Sequence, residues 1–412
     1  MTREADHIRD LARRVSEIAH SEKTVERRRM WARHNALEKV ERPPVLCRPV
    51  GAWRELVPDR TLVSSDPLHR QIERTLRMRL YKDSIDDDEV IEPWIDVPAV
   101  HVGPDRSLMW GVSIDTASAG EIGGAYAFKP EVREECDLDR LTVPDWRVDE
   151  KATEEILEKA SALLNGILAV RITYGRLRGA SLTYWGAYLR GLEQMMYDCL
   201  DRPRWLHRFM KFLSDAHVRH LTGLEADGHV TRNDNCPVSG ACRVCRDLPR
   251  PDFDGTRVRL ADTWCLADSQ EFALVSPQQW EEFVLEYQLP IFKLFGLVDY
   301  GCCESLVGKL DILRARVPNL RRVSVSPWSD VAYSAEHSGH DVVMQIRPKP
   351  SDVLMNFDES AMRRDLQQKM DAAGDSLFEF CLQDIETVHG WPQTLKTWTR
   401  VAKQVGAENY HR

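Results

Sequence analysis

Six cysteines fall where their spacing could support chemistry. Cys302 and Cys303 are adjacent and followed at once by Glu304, Cys381 stands alone further on, and Cys236, Cys242 and Cys245 form a separate group. Zinc takes thiolate, imidazole and carboxylate ligands, and a catalytic zinc keeps one position open. Two thiolates and a carboxylate converging from different strands would make such a site. Cys302, Cys303, Glu304 and Cys381 are therefore the candidate ligands, with His229 or Asp299 as possible substitutes. Neighbours on a strand point opposite ways, so Cys302 and Cys303 can reach one ion only where the strand breaks between them. The plain alternative is that these are buried, inert thiols. Cys242-Arg-Val-Cys245 has no second such pair nearby and lies in a loop bearing proline and glycine, so it reads as loop.

The elements that must position these residues are clearest in the last third. Ser276 before Pro277, with Gln279 three residues on, is a helix start, and that helix is expected to reach about residue 294. Strands are expected at 297–303, 321–326, 341–347 and 376–383, alternating with helices at 306–316, 330–337, 359–373 and 392–404. Alternation with short links is the pattern of βα units and a parallel sheet. Further strands are expected at 43–53, 96–103, 166–175, 228–234 and 256–264, and a long amphipathic helix at 204–224. About eight strands point to an α/β fold, a closed (β/α)8 barrel of the TIM type, with a doubly wound open sheet as the alternative. Residues 1–40 are expected to be an exposed helical arm or dimer contact, residues 41–412 the barrel. The acidic run 83–89 reads as a solvated edge, and residues 120–130 as loop.

Strand faces alternate with period two. Val342, Met344 and Ile346 oppose Val343, Gln345 and Arg347, and Phe378, Phe380 and Leu382 oppose Glu379, Cys381 and Gln383. A barrel strand must present its apolar face to the helices. The polar sets should then face inward, which places Asp299, Cys303, Ser326, Arg347 and Cys381 around one cavity at the strands' C-terminal ends. His229, Asn233, Tyr300, Ser326 and Trp328 are the expected substrate contacts.

The 412 residues are 43% hydrophobic and 29% charged, so a sizeable core can form. Lys plus Arg number 56 against 65 Asp plus Glu, a net charge of -9. That balance argues against nucleic acid or an anionic membrane as a partner. No apolar run is long enough for a membrane span, and the charged first 32 residues contain no signal-peptide core. A cytoplasmic location is expected. Ten cysteines are too few for a disulfide scaffold.

At YGCCESL, RRVSVSPWSD and FEFCLQDIETV the chain resembles the uroporphyrinogen decarboxylase superfamily, over roughly residues 227–406, with weaker likeness at ERPPVLCRP. The resemblance implies a (β/α)8 barrel and either cofactor-free decarboxylation or zinc-dependent methyl transfer between a corrinoid protein and a small carrier. The methyltransferases end one strand in His-x-Cys and carry a second Cys on the last strand. Here Tyr300 or Gly301 replaces the histidine, Cys302 or Cys303 supplies the first thiol and Cys381 the second. The decarboxylase's arginine-rich N-terminal segment is missing, which favours the methyltransferase branch. In that reading zinc activates the methyl acceptor. Arg347 with Lys349 pairs with a substrate anion, and Gln270 and Glu271 hydrogen-bond substrate or carry a proton. No Asp-x-His-x-x-Gly motif is present, so a corrinoid would arrive on a separate protein docking over the barrel mouth. A metal-free decarboxylase and a non-catalytic binding barrel are the alternatives.

Overall fold

The computed structural model describes residues 3–118, 120, 126–175, 179–238, 240–355 and 357–410. Eight strands carry the architecture: β1 Val45–Pro49, β2 Trp94–Pro98, β3 Ala169–Thr173, β4 Trp264–Ala267, β5 Leu297–Tyr300, β6 Leu320–Val325, β7 Val343–Ile346 and β8 Phe378–Ile385. Six of them form one parallel sheet in the order β1-β8-β7-β6-β5-β4. β2 and β3 pair in parallel as a separate two-stranded sheet. The strands thus form two arcs, and a closed hydrogen-bonded barrel is not what the described residues show.

At both seams side chains do what a ladder would otherwise do. Between β1 and β2, the Asp88 N–H donates to Val45 O, while the carboxylates of Asp87 and Asp88 accept from the Cys47 and Val45 N–H groups. Between β3 and β4 runs the segment 228–234, expected to be a strand, which has no regular structure. Thr231 donates to Ile172 O, and the Asn233 amide both donates to Trp264 O and accepts from Trp264 N–H.

The helix-side face of the six-stranded sheet is apolar, as the alternation requires. Val298, Tyr300, Val323, Val325, Met344, Ile346, Phe378, Phe380 and Leu382 share one buried core. Helix Gln393–Asn409 packs there through Leu395, Trp398 and Val405. Ser276 caps the helix beginning at Pro277 by accepting from Gln279 N–H, and a π-turn at Glu281–Leu285 precedes the continuation Glu286–Phe292.

Three expectations are corrected. The N-terminal helices α1 Arg3–Ala19 and α2 Glu22–His34 are not an exposed arm. Ile8, Leu11, Ala12 and Val15 of α1 form a second core with Ile72, Leu76, Ile95, Val97, Leu163 and Leu164, which covers the β2–β3 arc. Trp31 of α2 is buried beside Leu46 and Cys381. The end of the acidic run is not solvated either: Asp87, Asp88 and Glu89 are buried, because Lys82 pairs with Asp87 and Glu89 while Arg42 grips Asp88 at 2.6 Å. Residues 121–125 of the expected loop lie outside the described residues, but Tyr126–Lys129 pairs antiparallel with Asp115–Ser118.

Candidate active site at the strand ends

The polar face of the six-stranded sheet has a floor and a rim. On the floor, Arg322 lies 3.3 Å from Glu379 and 3.4 Å from Asp299, and Arg243 lies 3.3 Å from Asp299. His34 sits 3.4 Å from Glu379, and burial pushes its pKa down, so the imidazole is neutral. Asn35 accepts from Arg322 at 2.6 Å. Two guanidinium groups face two carboxylates, so this buried charge is matched, as its burial demands. It also means that Arg243 and Arg322 are committed internally and do not clamp a polycarboxylate.

One strand step toward the C-terminal ends lies the rim. Gln345 links the two layers, donating to Glu379 at 2.6 Å and accepting from Arg347 Nε at 3.0 Å. Arg347 further donates to Ser324 Oγ at 2.7 Å and to the Cys302 carbonyl at 2.6 Å. Every one of these acceptors is neutral. Among the described residues no carboxylate stands within 4.0 Å of Arg347, although the side chain is only 6% exposed.

β5 ends at Tyr300, and Gly301 follows with φ of +105°, a conformation L side chains rarely adopt. This break is what brings two consecutive thiols together: Cys302 Sγ and Cys303 Sγ are 3.7 Å apart. The hydrogen bond between the two thiols draws the Cys302 pKa down to about 6, against the effect of burial and with help from Arg347. The same hydrogen bond, with burial, raises Cys303. The pair thus shares one proton at neutral pH. Cys303 Sγ lies 3.7 Å from Asp384 Oδ2. Cys381 is on the same face but fully buried, and burial raises its thiol pKa while Arg48 and Arg347 oppose.

The expected metal set does not assemble. Glu304 is buried with both carboxylate oxygens taken, by Ser269 N–H and Cys302 N–H at 2.8 Å each, so it ties down the loop. Among the described residues no three His, Cys, Asp or Glu side chains come together as a metal site. Cys302 and Cys303 could offer two ligands to a soft ion, but the donor set as it stands does not fit a zinc centre.

Other expected contacts lie elsewhere. Tyr300 is in the helix-side core, its hydroxyl 3.0 Å from Ser269 Oγ, 3.1 Å from Gln288 Oε1 and 3.3 Å from Trp280 Nε1. Asn233 is spent on the β3–β4 seam. His229 stacks on Tyr174 and pairs with Glu150 at 2.8 Å, in a cleft beside that seam. Glu271 accepts from Thr183 at 2.6 Å, and among the described residues the Gln270 side chain reaches Glu271 alone, at 3.4 Å. Ser326 is buried against Ser329, whereas Trp328 is 71% exposed in the loop after β6.

Sequence reasoning missed Asp384, Arg48, Ser324 and the linking role of Gln345. Arg48, on β1, donates to Gln383 and approaches Cys381. Asp384 escaped because it breaks the alternation. Cys47 pairs with Leu382 and Pro49 with Ile385, so β8 carries one extra residue here, and Asp384 has φ of +59°. Such bulges re-aim a side chain.

Among solved structures, a methyltransferase from Methanosarcina mazei has a similar fold, with a TM-score of 0.50 and 10% sequence identity over 90% of this chain and 97% of that one. At that identity the likeness speaks to the fold alone. No protein-family model and no curated protein matches the sequence. No helix among the described residues is long and apolar enough to cross a membrane.

Proposed function

We propose that the chain is a methyltransferase-type enzyme that moves a methyl group between a small anionic molecule and a corrinoid carried by a separate protein. One observation carries this reading: a buried guanidinium and a proton-sharing thiol pair meet at the C-terminal ends of a parallel sheet. Parallel α/β folds keep their chemistry at such strand ends. The fold is also one that a methyltransferase uses.

Arg347 seats the substrate anion, because its own acceptors fix its direction without neutralising its charge. The Cys302–Cys303 pair moves a proton. It gives one to a heteroatom that has lost its methyl group, or takes one from a heteroatom about to gain it. The corrinoid supplies the cobalt that donates or accepts the methyl group. Exposed Val50, Leu274, Val307, Trp328, Phe357 and Trp391, all in loops after the strands, offer its carrier an apolar seat. No step is assigned to a metal, since among the described residues no three ligand side chains come together as a metal site.

Methylcobalamin, with small thiols, amines and carboxylates as acceptors, tests the reading through the cobalt absorbance and the mass of the methylated product. Cys302→Ser is expected to lower the transfer rate by about 100-fold or more. No transfer by the intact protein, or an unchanged rate in that variant, would remove the proposal.

A further inference from the structure

Among the described residues, neither of two opposite charges at the rim stands in a carboxylate–cation pair. Arg347 is buried and hydrogen-bonds the neutral Gln345, Ser324 and the Cys302 carbonyl, with the nearby thiols lending negative charge but no carboxylate paired to it among the described residues. A desolvated cation bonded to neutral acceptors and paired with no carboxylate favours an arriving anion. Asp384 is the reverse: its carboxylate contacts the Cys303 thiol and the Gln383 amide at 3.2 Å, and among the described residues no cation lies within 4.0 Å. Asp384 also sits in a bulge with left-handed backbone, which turns it out of the helix-side core that Leu382 and Ile385 occupy. A non-glycine residue in that region costs free energy, and bulges of this kind cluster at functional sites.

Arg347 and Asp384 do not pair with each other. The thiol pair stands between them: Arg347 holds the Cys302 carbonyl, Cys302 Sγ is 3.7 Å from Cys303 Sγ, and Cys303 Sγ is 3.7 Å from Asp384. A ligand charged at one end alone would satisfy one of these groups and leave the other as it is. We propose that this site takes a small zwitterion, with its anionic end on Arg347 and its cationic end beside Asp384, lying across the two thiols. The proposal deepens the methyl-transfer reading by naming the substrate class, yet it concerns binding and stands without any turnover.

Calorimetric titration of the full chain tests it with three probes of nearly one shape. Glycine betaine carries both charges, 3,3-dimethylbutanoate only the anion and choline only the cation. Betaine homologues with two and three carbons between the charges extend the series. At least one zwitterion is expected to bind ten times more tightly than the carboxylate without the cation. Asp384→Asn should erase that preference while keeping the carboxylate's own affinity. Because Asp384 is exposed, that variant is the one expected to fold normally. Equal binding of betaine and dimethylbutanoate, a preference that survives Asp384→Asn, or no binding by any zwitterion in the series overturns the proposal. Methyl transfer to or from a plain anion, with no zwitterion bound, would keep the function and sink the substrate class. A bound zwitterion that is never methylated or demethylated would do the opposite.

Discussion

The floor and the rim lie on the same face of the same six strands, but their charges are arranged differently. On the floor, Arg243 and Arg322 meet Asp299 and Glu379 at 3.3 to 3.4 Å and the network closes on itself. At the rim, Arg347 and Asp384 form no ion pair among the described residues, and the thiol pair stands between them. A closed network holds a structure; an open one has interactions left for a ligand. Gln345 joins the two, so the rigid floor sets the direction of Arg347.

The largest expected effect breaks the floor. Arg322→Leu strands Glu379 without its cation, leaves Asp299 with Arg243 alone, and should cost about 3 to 5 kcal/mol in urea unfolding. A loss below about 1 kcal/mol would mean that the floor is no more than a solvated surface. Cys302→Ser at the rim should do the reverse, leaving the unfolding midpoint almost unchanged while methyl transfer falls; a large stability loss would erase the distinction.

The pH dependence sharpens the rim. Because the Cys302 pKa is lowered to about 6, its thiolate persists above that pH and is lost below it. Alkylation of Cys302 by iodoacetamide should therefore rise with a midpoint near 6; a midpoint near the ordinary value of about 8.5 would remove the thiolate from the site. Zinc titration is expected to give only binding that a chelator readily reverses, lost in Cys302→Ser and kept in Cys381→Ser. Tight zinc that depends on Cys381 would restore the ligand set expected from the sequence. The smallest effect concerns Tyr300→Phe, which removes a core hydroxyl and should cost about 1 kcal/mol of stability with no change in substrate affinity.

Much of this contrast was written in the alternation of the strands. Gln345, Arg347, Glu379 and Cys381 share a polar face, and Val323, Met344, Phe378 and Phe380 an apolar one, because a sheet sealed by helices on one side tolerates no other pattern. The misplaced residues have specific causes. Tyr300 follows the alternation onto the helix side, where Ser269, Gln288 and Trp280 satisfy its hydroxyl. Asn233 looked like a cavity residue but replaces ladder hydrogen bonds at a seam. Glu304 follows the cysteines in sequence, yet its carboxylate folds back onto backbone N–H groups.

Residue type and local period are enough to read the alternating strands of the last third, their polar and apolar faces, and an arginine on the polar face. Tertiary structure decided that the strands form two arcs, that the N-terminal helices complete the core, and that Asp384 turns to the thiols. Those outcomes depend on register, on one extra residue in a strand, and on which distant groups satisfy each buried charge, and no local pattern encodes them.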